Sequence, residues 1–459
     1  LAIFGSKLTN SSKYQFLEDS LINDYRGNKR LIKAWVFYDW ANSAYSLVIT
    51  SAIFPIFYGA VFLAAETETV SIFGGQIRPT PLISYVTALA FVVVALCSPI
   101  LTGVADFVGN KKAFLKFYCY LGSLACMGLY FFDLAHIYFS LLCYFLGLVG
   151  FWGSIVFYNS YLPDIAFPEQ QDAVSARGFS MGYIGSVLLL IVNLAMVMSP
   201  ETFGFASGGA GSMEAMRWSF VMVGLWWMGF SQYTFYVLPK GVSRGHKITR
   251  SVLFNGYNEL KKVYRALGEN IRLKRYLSAF FVYSMAVQTI MLVATYFGEQ
   301  EIAWPDEGSK TTGLIVSILI IQFLAMIGAQ LTAKASQRFG NLNVLIGINA
   351  VWAVMGVYAY FMQSPVQFYF AAATVGLVMG GIQSLSRSTY SKYLPRTVDT
   401  ASYFSFFDVA EKIGIVIGML LYGFIDQITG SMRNSVLFLI VFFISGIGLL
   451  LRVPKKINP

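Results

Sequence analysis

The stretch Gly103-Val104-Ala105-Asp106-Phe107-Val108-Gly109-Asn110-Lys111-Lys112 decides how this chain is read. It is a short turn of small, acidic and basic residues wedged between two apolar runs, 81-103 and 113-133. Each run has the length that crosses a bilayer as a helix, about 20 residues. Working outward from the turn, the same alternation of apolar run and polar or Gly/Pro punctuation recurs along the whole chain. It predicts spans over 34-63, 81-103, 113-133, 137-160, 177-198, 217-238, 276-298, 312-333, 342-362, 366-388, 402-424 and 434-452.

Composition agrees with that reading. Of 459 residues, 56% are hydrophobic and only 12% charged, against roughly 25% charged in an ordinary soluble domain. A soluble enzyme of normal composition is excluded, and twelve spans need only about 240 to 290 residues. The expected fold is an all-α integral membrane protein with twelve transmembrane helices in two six-helix bundles. The longest polar stretch, Pro239 to Arg275, sits between the sixth and seventh spans. It divides the chain into an N-terminal tail 1-33, a bundle 34-238, a basic linker 239-275, a second bundle 276-452 and a C-terminal tail 453-459.

The net charge of +10 acquires meaning from its placement. Of 33 Lys and Arg residues, all but Arg78, Arg217, Lys310, Arg433 and Lys412 fall on the side that carries both termini. Positive residues accumulate in cytoplasmic loops, so both termini are expected in the cytoplasm of a multi-pass protein of a bacterial inner membrane. The partner of this charge is the lipid bilayer, and nucleic acid is not expected. In the linker, Val252, Leu253, Tyr257, Leu260, Val263, Tyr264 and Leu267 fall on one helical face, with Lys261, Lys262 and Arg265 largely elsewhere. Such a helix either lies on an anionic leaflet or packs its apolar face under the bundle.

Cys97, Cys119, Cys126 and Cys143 lie inside apolar stretches without CxxC spacing, so buried thiols are expected rather than disulfides or a zinc site. His136 and His246 are far apart. No metal, no cofactor and no enzymatic activity are expected, because no D-D-x-x-D, H-E-x-x-H or P-loop pattern occurs. The first apolar run is too long for the core of a cleaved signal.

A faint repeat links the halves. The turn after the eighth span reads Lys334-Ala335-Ser336-Gln337-Arg338-Phe339-Gly340-Asn341, which puts Gly-Asn where Gly109-Asn110 stands in the first half. Duplicated six-helix units are common in secondary transporters. The opening turn itself, with Gly103, Asp106, Gly109, Lys111 and Lys112, resembles the cytoplasmic signature loop of the major facilitator superfamily. Narrower resemblances are Tyr38-Asp39-Trp40-Ala41-Asn42-Ser43-Ala44-Tyr45, Tyr158-Asn159-Ser160-Tyr161-Leu162-Pro163, Ser175-Ala176-Arg177-Gly178 with Gly182-Tyr183, and Gly381-Ile382-Gln383 with Ser386-Arg387-Ser388. On these the chain is identified as a member of the vacuole-effluxer-like, or unknown major facilitator, family. The resemblance implies two bundles around a central cavity, alternating access and transport of a small solute. Fungal members export amino acids. The sequence departs from the family pattern where Tyr283-Ser284-Met285-Ala286 replaces a seventh-span Asp-Gly, and where Glu411-Lys412 is followed by Gly418-Met419.

Ionisable groups inside a membrane are costly and usually face a cavity or a partner. Asp39, with Asn42 and Ser46 on its face, reads as an interfacial cap, a structural ion pair or half of a gate, about one turn from the cytoplasmic end. Gln383, Ser386 and Arg387 share a face at similar depth, so Asp39 and Arg387 pair either as a gate or as a permanent clasp. Asp408 and Lys412 are i, i+4 neighbours that neutralise each other, and Glu411 is expected to point elsewhere. Lys412, near the midplane, either binds a substrate carboxylate or stays paired. Tyr158, Asn159, Arg177 and Gln288 either bond a solute or bridge helices. Asp106 caps a helix or belongs to a latch. The function expected is gradient-driven transport of a small molecule by a monomer, with protons as the candidate coupling ion and amino-acid efflux as the specific case. A sensor that binds without flux, and a carrier of another organic solute or drug, are the alternatives.

Overall fold

The computed structural model describes residues 25–67, 69–241 and 252–454. Most of the expected N-terminal tail, His246 with the first part of the linker, and the end of the C-terminal tail lie outside the described residues. Twelve long helices carry the described chain. The first runs from Lys29–Ala44 through a π-helical segment, Tyr45–Ala52, into Ile53–Ala64. The second to sixth are Pro79–Val108, Lys111–Gly128, Ile137–Asn159, Pro168–Met198 and Gly208–Val237. A linker helix, Val252–Glu269, precedes the seventh to twelfth: Ile271–Glu301, Glu307–Phe339, Asn341–Phe361, Pro365–Tyr393, Thr400–Thr429 and Met432–Leu451. Ten are long and apolar enough to cross a membrane. The sixth and eleventh have the length but dilute it, the sixth with Trp, Tyr, Ser and Gln among its apolar residues, the eleventh with Asp408, Glu411 and Lys412.

Several helices outrun the apolar windows that announce them, because hydropathy marks the slab and caps mark the helix. Asn28 accepts hydrogen bonds from the backbone of Arg30 and Leu31, which starts the first helix five residues early. The fifth begins at Pro168, where proline suits a first turn, and its polar start packs toward the other half of the molecule. Depth changes accordingly. Asp39 lies roughly 15 Å along its helix at 1.5 Å per residue, well past one turn. A two-stranded hairpin, Val70–Ile72 with Gly75–Ile77, joins the first two helices around Phe73 and Gly74, both at positive φ; the sequence pattern gave no sign of it.

Each half packs a core of its own. The first gathers Trp35, Tyr38, Tyr45, Phe57 and Trp227, and the second Tyr276, Tyr283, Trp352 and Phe443. The linker helix joins the second core through Val263 and Leu267 while Tyr257 and Tyr264 stay exposed; of the two readings of that helix, packing accounts for the buried residues. Large apolar side chains such as Leu89, Leu96, Ile191, Phe370 and Ile444 face outward, as lipid contact requires. The halves meet where the second helix crosses the eleventh and the fifth crosses the eighth and tenth.

Candidate functional site

The face holding the start of the first helix and the end of the twelfth is called proximal here, the opposite one distal. At the proximal face the opening turn does two jobs. Gly109, at φ +71, ends the second helix, and the Asn110 side chain caps the third by accepting from Ala113 N–H. Asp106 then reaches across the molecule: its Oδ2 accepts from the backbone N–H of Ser402 at 2.7 Å, capping the eleventh helix. Lys111 donates to the Ser160 carbonyl and to Thr400 Oγ1, both at 3.0 Å, and pairs with Asp164. Lys112 donates to the Leu238 carbonyl at 2.6 Å, and Gly103 is buried in the helix that leads into the turn.

The second half repeats this contact with the charges exchanged. Asp172, on the first turns of the fifth helix, accepts from Ser336 Oγ at 2.8 Å and Asn341 Nδ2 at 2.9 Å, and pairs with Lys392. In each case the turn after the second helix of one half docks on the start of the fifth helix of the other. In the first the turn supplies the carboxylate; in the second the helix does.

Deeper in, Asp39 and Arg387 do meet, at 3.5 Å, and both are buried. Arg387 also donates to Ser175 Oγ, the Ser175 carbonyl and Asn159 Oδ1. Its guanidinium lies over the rings of Phe179, Trp35 and Tyr158 at 4.2, 4.8 and 5.5 Å. Asp39 Oδ2 accepts a 2.7 Å hydrogen bond from Tyr158, whose ring stacks on Trp35. The glycines of the fifth helix make room. A Cβ on Gly178 would sit 2.4 Å from Asp39 Oδ2, and one on Gly182 2.4 Å from Ser43 Oγ. This clasp therefore joins the first, fourth and fifth helices to the tenth.

A second charged group lies within the eleventh helix. Lys412 Nζ donates to Asp408 Oδ1 at 2.8 Å and to Glu411 Oε2 at 2.9 Å, over the Trp152 ring at 3.8 Å. Glu411 does not point elsewhere: its side chain folds back to the lysine, and Oε1 accepts from Gln288 Nε2 at 2.7 Å. The other Asp408 oxygen is buried with no hydrogen-bond partner among the described residues.

Between the halves lies a cavity of ≈ 300 Å³. Its wall includes Asp39, Asn42, Tyr158, Asn159, Gln288, Gln383, Arg387 and Glu411, so most of the sequence candidates converge. Three do not line it. Arg177 is exposed, because its neighbours Ala176 and Gly178 take the face that packs inward. Asp408 and Lys412 sit behind Glu411, Lys412 only 1% exposed. Toward the proximal face the halves are tied by the clasp and the two docking turns. Tyr183 donates to Gln383 at 2.7 Å and Ser180 to the Met326 carbonyl at 3.0 Å. Beyond those bonds the cavity continues past Thr50, Thr295 and Gln322 toward the distal face. The π segment lines that part with Ser46, Leu47, Thr50 and Ser51; π turns recur at functional sites.

Sequence reasoning missed Asp172, Lys392 and Trp152, and quoted Ser175 only as part of a motif whose candidate was Arg177. A serine or tryptophan in an apolar run carries no period of its own. Asp172 was within reach, since the repeat that flagged Gly340-Asn341 implies a partner opposite it, as Asp106 has.

Comparison with known proteins bears on this arrangement. Residues 27–457 match the profile of the family described as vacuole effluxer Atg22 like. The chain is 31% identical over 428 residues to the uncharacterized MFS-type transporter YxiO of Bacillus subtilis, covering 92% of this chain and 94% of that one. It is 26% identical over 323 residues to autophagy-related protein 22 of Eremothecium gossypii, covering 63% of this chain and 60% of that one. Among solved structures, the fucose:proton symporter of E. coli superposes with a TM-score of 0.66 at 14% identity, over 93% of this chain and 98% of that one. The proton:xylose symporter XylE gives 0.66 at 12%, over 95% and 97%. At such identities the structural likeness speaks to the fold.

Proposed function

Because this chain belongs to the vacuole effluxer Atg22-like family of major facilitator transporters, we propose that it is a gradient-driven carrier that exports a small solute, amino acids first among them, by alternating access. The observation that carries the reading is the cavity between the halves, tied shut on its proximal side by Asp39 and Arg387 and continuing distally. Its volume falls at the lower end of small-molecule sites. A carrier must break contacts on one side as it makes them on the other, and this clasp draws its two charges from different halves. With the termini in the cytoplasm of a bacterial inner membrane, the state described faces outward. Arg387 and Glu411 place opposite charges on the cavity wall for a zwitterion, while Phe179, Phe280 and Phe407 supply apolar wall. The carrier works as a monomer, with protons as the candidate coupling ion.

The experiment is counterflow in proteoliposomes loaded with unlabelled leucine and supplied with a trace of labelled leucine, repeated with sugars and nucleosides. Transient accumulation of label that disappears in Arg387→Ala supports the reading. Accumulation with sugars or nucleosides instead would move the substrate class. Saturable leucine binding without counterflow would identify a sensor.

A further inference from the structure

The charges at mid-depth do not balance. Asp39 and Arg387 cancel, but Lys412 serves two carboxylates, Asp408 and Glu411. One negative charge is left over in the interior of a membrane protein, where an uncompensated ion is expensive. The two acids are not equivalent. Asp408 is the i, i+4 partner of the lysine, with its side chain 5% exposed, whereas Glu411 is 17% exposed and forms cavity wall. The bare second oxygen of Asp408 is a further sign that the group has room for one more positive charge.

We propose that Glu411 is an exchange seat for positive charge: it holds a proton when the cavity is empty and releases it to water when the ammonium group of an amine-bearing solute takes its place. In the exchange the carboxylic acid O–H bond breaks, the proton passes to cavity water, and the resulting carboxylate pairs with the R–NH3⁺ group. Charge at the seat is the same before and after. Gln288 holds one oxygen in place throughout, and each carboxylate oxygen keeps a lone pair beyond its present donor. The groups around Glu411 leave it as the exchanging member. On its own helix Asp408 and Lys412 are tied to each other; the seventh helix presents the uncharged Gln288; the fourth presents the Trp152 ring. From the third helix Tyr118 lies within electrostatic reach of Asp408, beside Cys97 of the second. Asp39 and Arg387, the other charges of the cavity, are engaged with one another.

This inference rests on the carrier reading but is tested without flux. Binding of L-leucine, L-lysine and methylammonium to the purified full chain is measured by calorimetry between pH 5 and 8, in two buffers of different ionisation enthalpy to count released protons. N-acetyl-L-leucine, which lacks the ammonium, is the control. The expected result is release of one proton per amine bound, with affinity weakening about tenfold per pH unit on the acid side, and no such release with the control. Glu411→Gln removes both the release and the slope, and Glu411→Asp, which keeps a carboxylate, restores the release if the glutamine variant proves unstable. Amine binding with pH-independent affinity, equal proton release in Glu411→Gln, or no binding of any amine overturns the proposal. A chain that shows counterflow while failing this test keeps the carrier reading and loses only the seat.

Discussion

The two charged groups of the interior differ in what they join. The Asp39–Arg387 clasp takes its acid from the first helix and its base from the tenth, and it is neutral as a pair. The Asp408–Glu411–Lys412 group comes from three positions of one helix and sets one cation against two carboxyl groups. If the halves rock against each other as proposed, the clasp must part, whereas a group confined to one helix travels intact. On that proposal the clasp reports which side is closed. On the same proposal the eleventh-helix group carries the same charge through both states and accepts a ligand in either.

The largest effect that sharpens this contrast comes from Arg387→Ala. It strands a buried carboxylate, and breaking a buried pair costs about 3–5 kcal/mol. Thermal unfolding in detergent should fall by that equivalent and flux should vanish. Asp39→Asn combined with Arg387→Gln should recover part of the stability, with flux still absent. Lys412→Met comes next. It leaves the buried Asp408 and the cavity-wall Glu411 without a cation, and protonated carboxyls carry no charge to desolvate. The loss of stability should therefore be large at pH 8 and shrink toward pH 5, followed by unfolding at each pH. A loss that is flat with pH would mean that the lysine only packs against Trp152, and the contrast with the clasp would collapse.

Glycines give a smaller and cleaner test. In Gly178→Ala the new methyl would stand 2.4 Å from Asp39 Oδ2 against the first helix, and overpacking of this kind costs about 1–3 kcal/mol. Flux should drop with it. Gly423→Ala lies on the eleventh helix, where nothing is within 4 Å, and should gain about 0.5–1 kcal/mol from helix propensity. Equal behaviour of the two variants would show that the clasp tolerates the displacement and is less tightly built than its geometry implies.

How much of this was legible beforehand follows from what each signal measures. Apolar runs about as long as a bilayer is thick announced twelve helices, and the charged residues among them, being costly there, announced the clasp pair. Helix starts such as Asn28 and Pro168 were not legible, because caps are polar and lie outside the apolar window. Depth errors followed, as for Asp39. Side-chain direction was the other gap: Glu411 was expected to diverge from Lys412 because i, i+1 neighbours on a helix do not face each other. A lysine reaching over an indole ring can nonetheless be shared by both acids. Arg177 shows the reverse error, a residue within a recognisable motif that lies on the outward side of its helix.

The mildest prediction concerns the proximal turns, where the two halves make one contact twice with opposite polarity. Asp106 caps a helix of the other half through one backbone N–H, and removing a capping side chain costs about 0.5–2 kcal/mol. Asp172 answers two neutral donors and Lys392. Asparagine keeps an acceptor oxygen at either site but no charge. Asp106→Asn should therefore stay within about 0.5 kcal/mol of the parent on the weak side of the capping range, while Asp172→Asn, which deserts a lysine, should cost more. Unfolding midpoints of the two variants in the same detergent compare them directly. If Asp106→Asn proves the costlier, then Asp106 acts through its charge, on Lys111 and the start of the eleventh helix together, and the two docking turns are not interchangeable halves of one repeat.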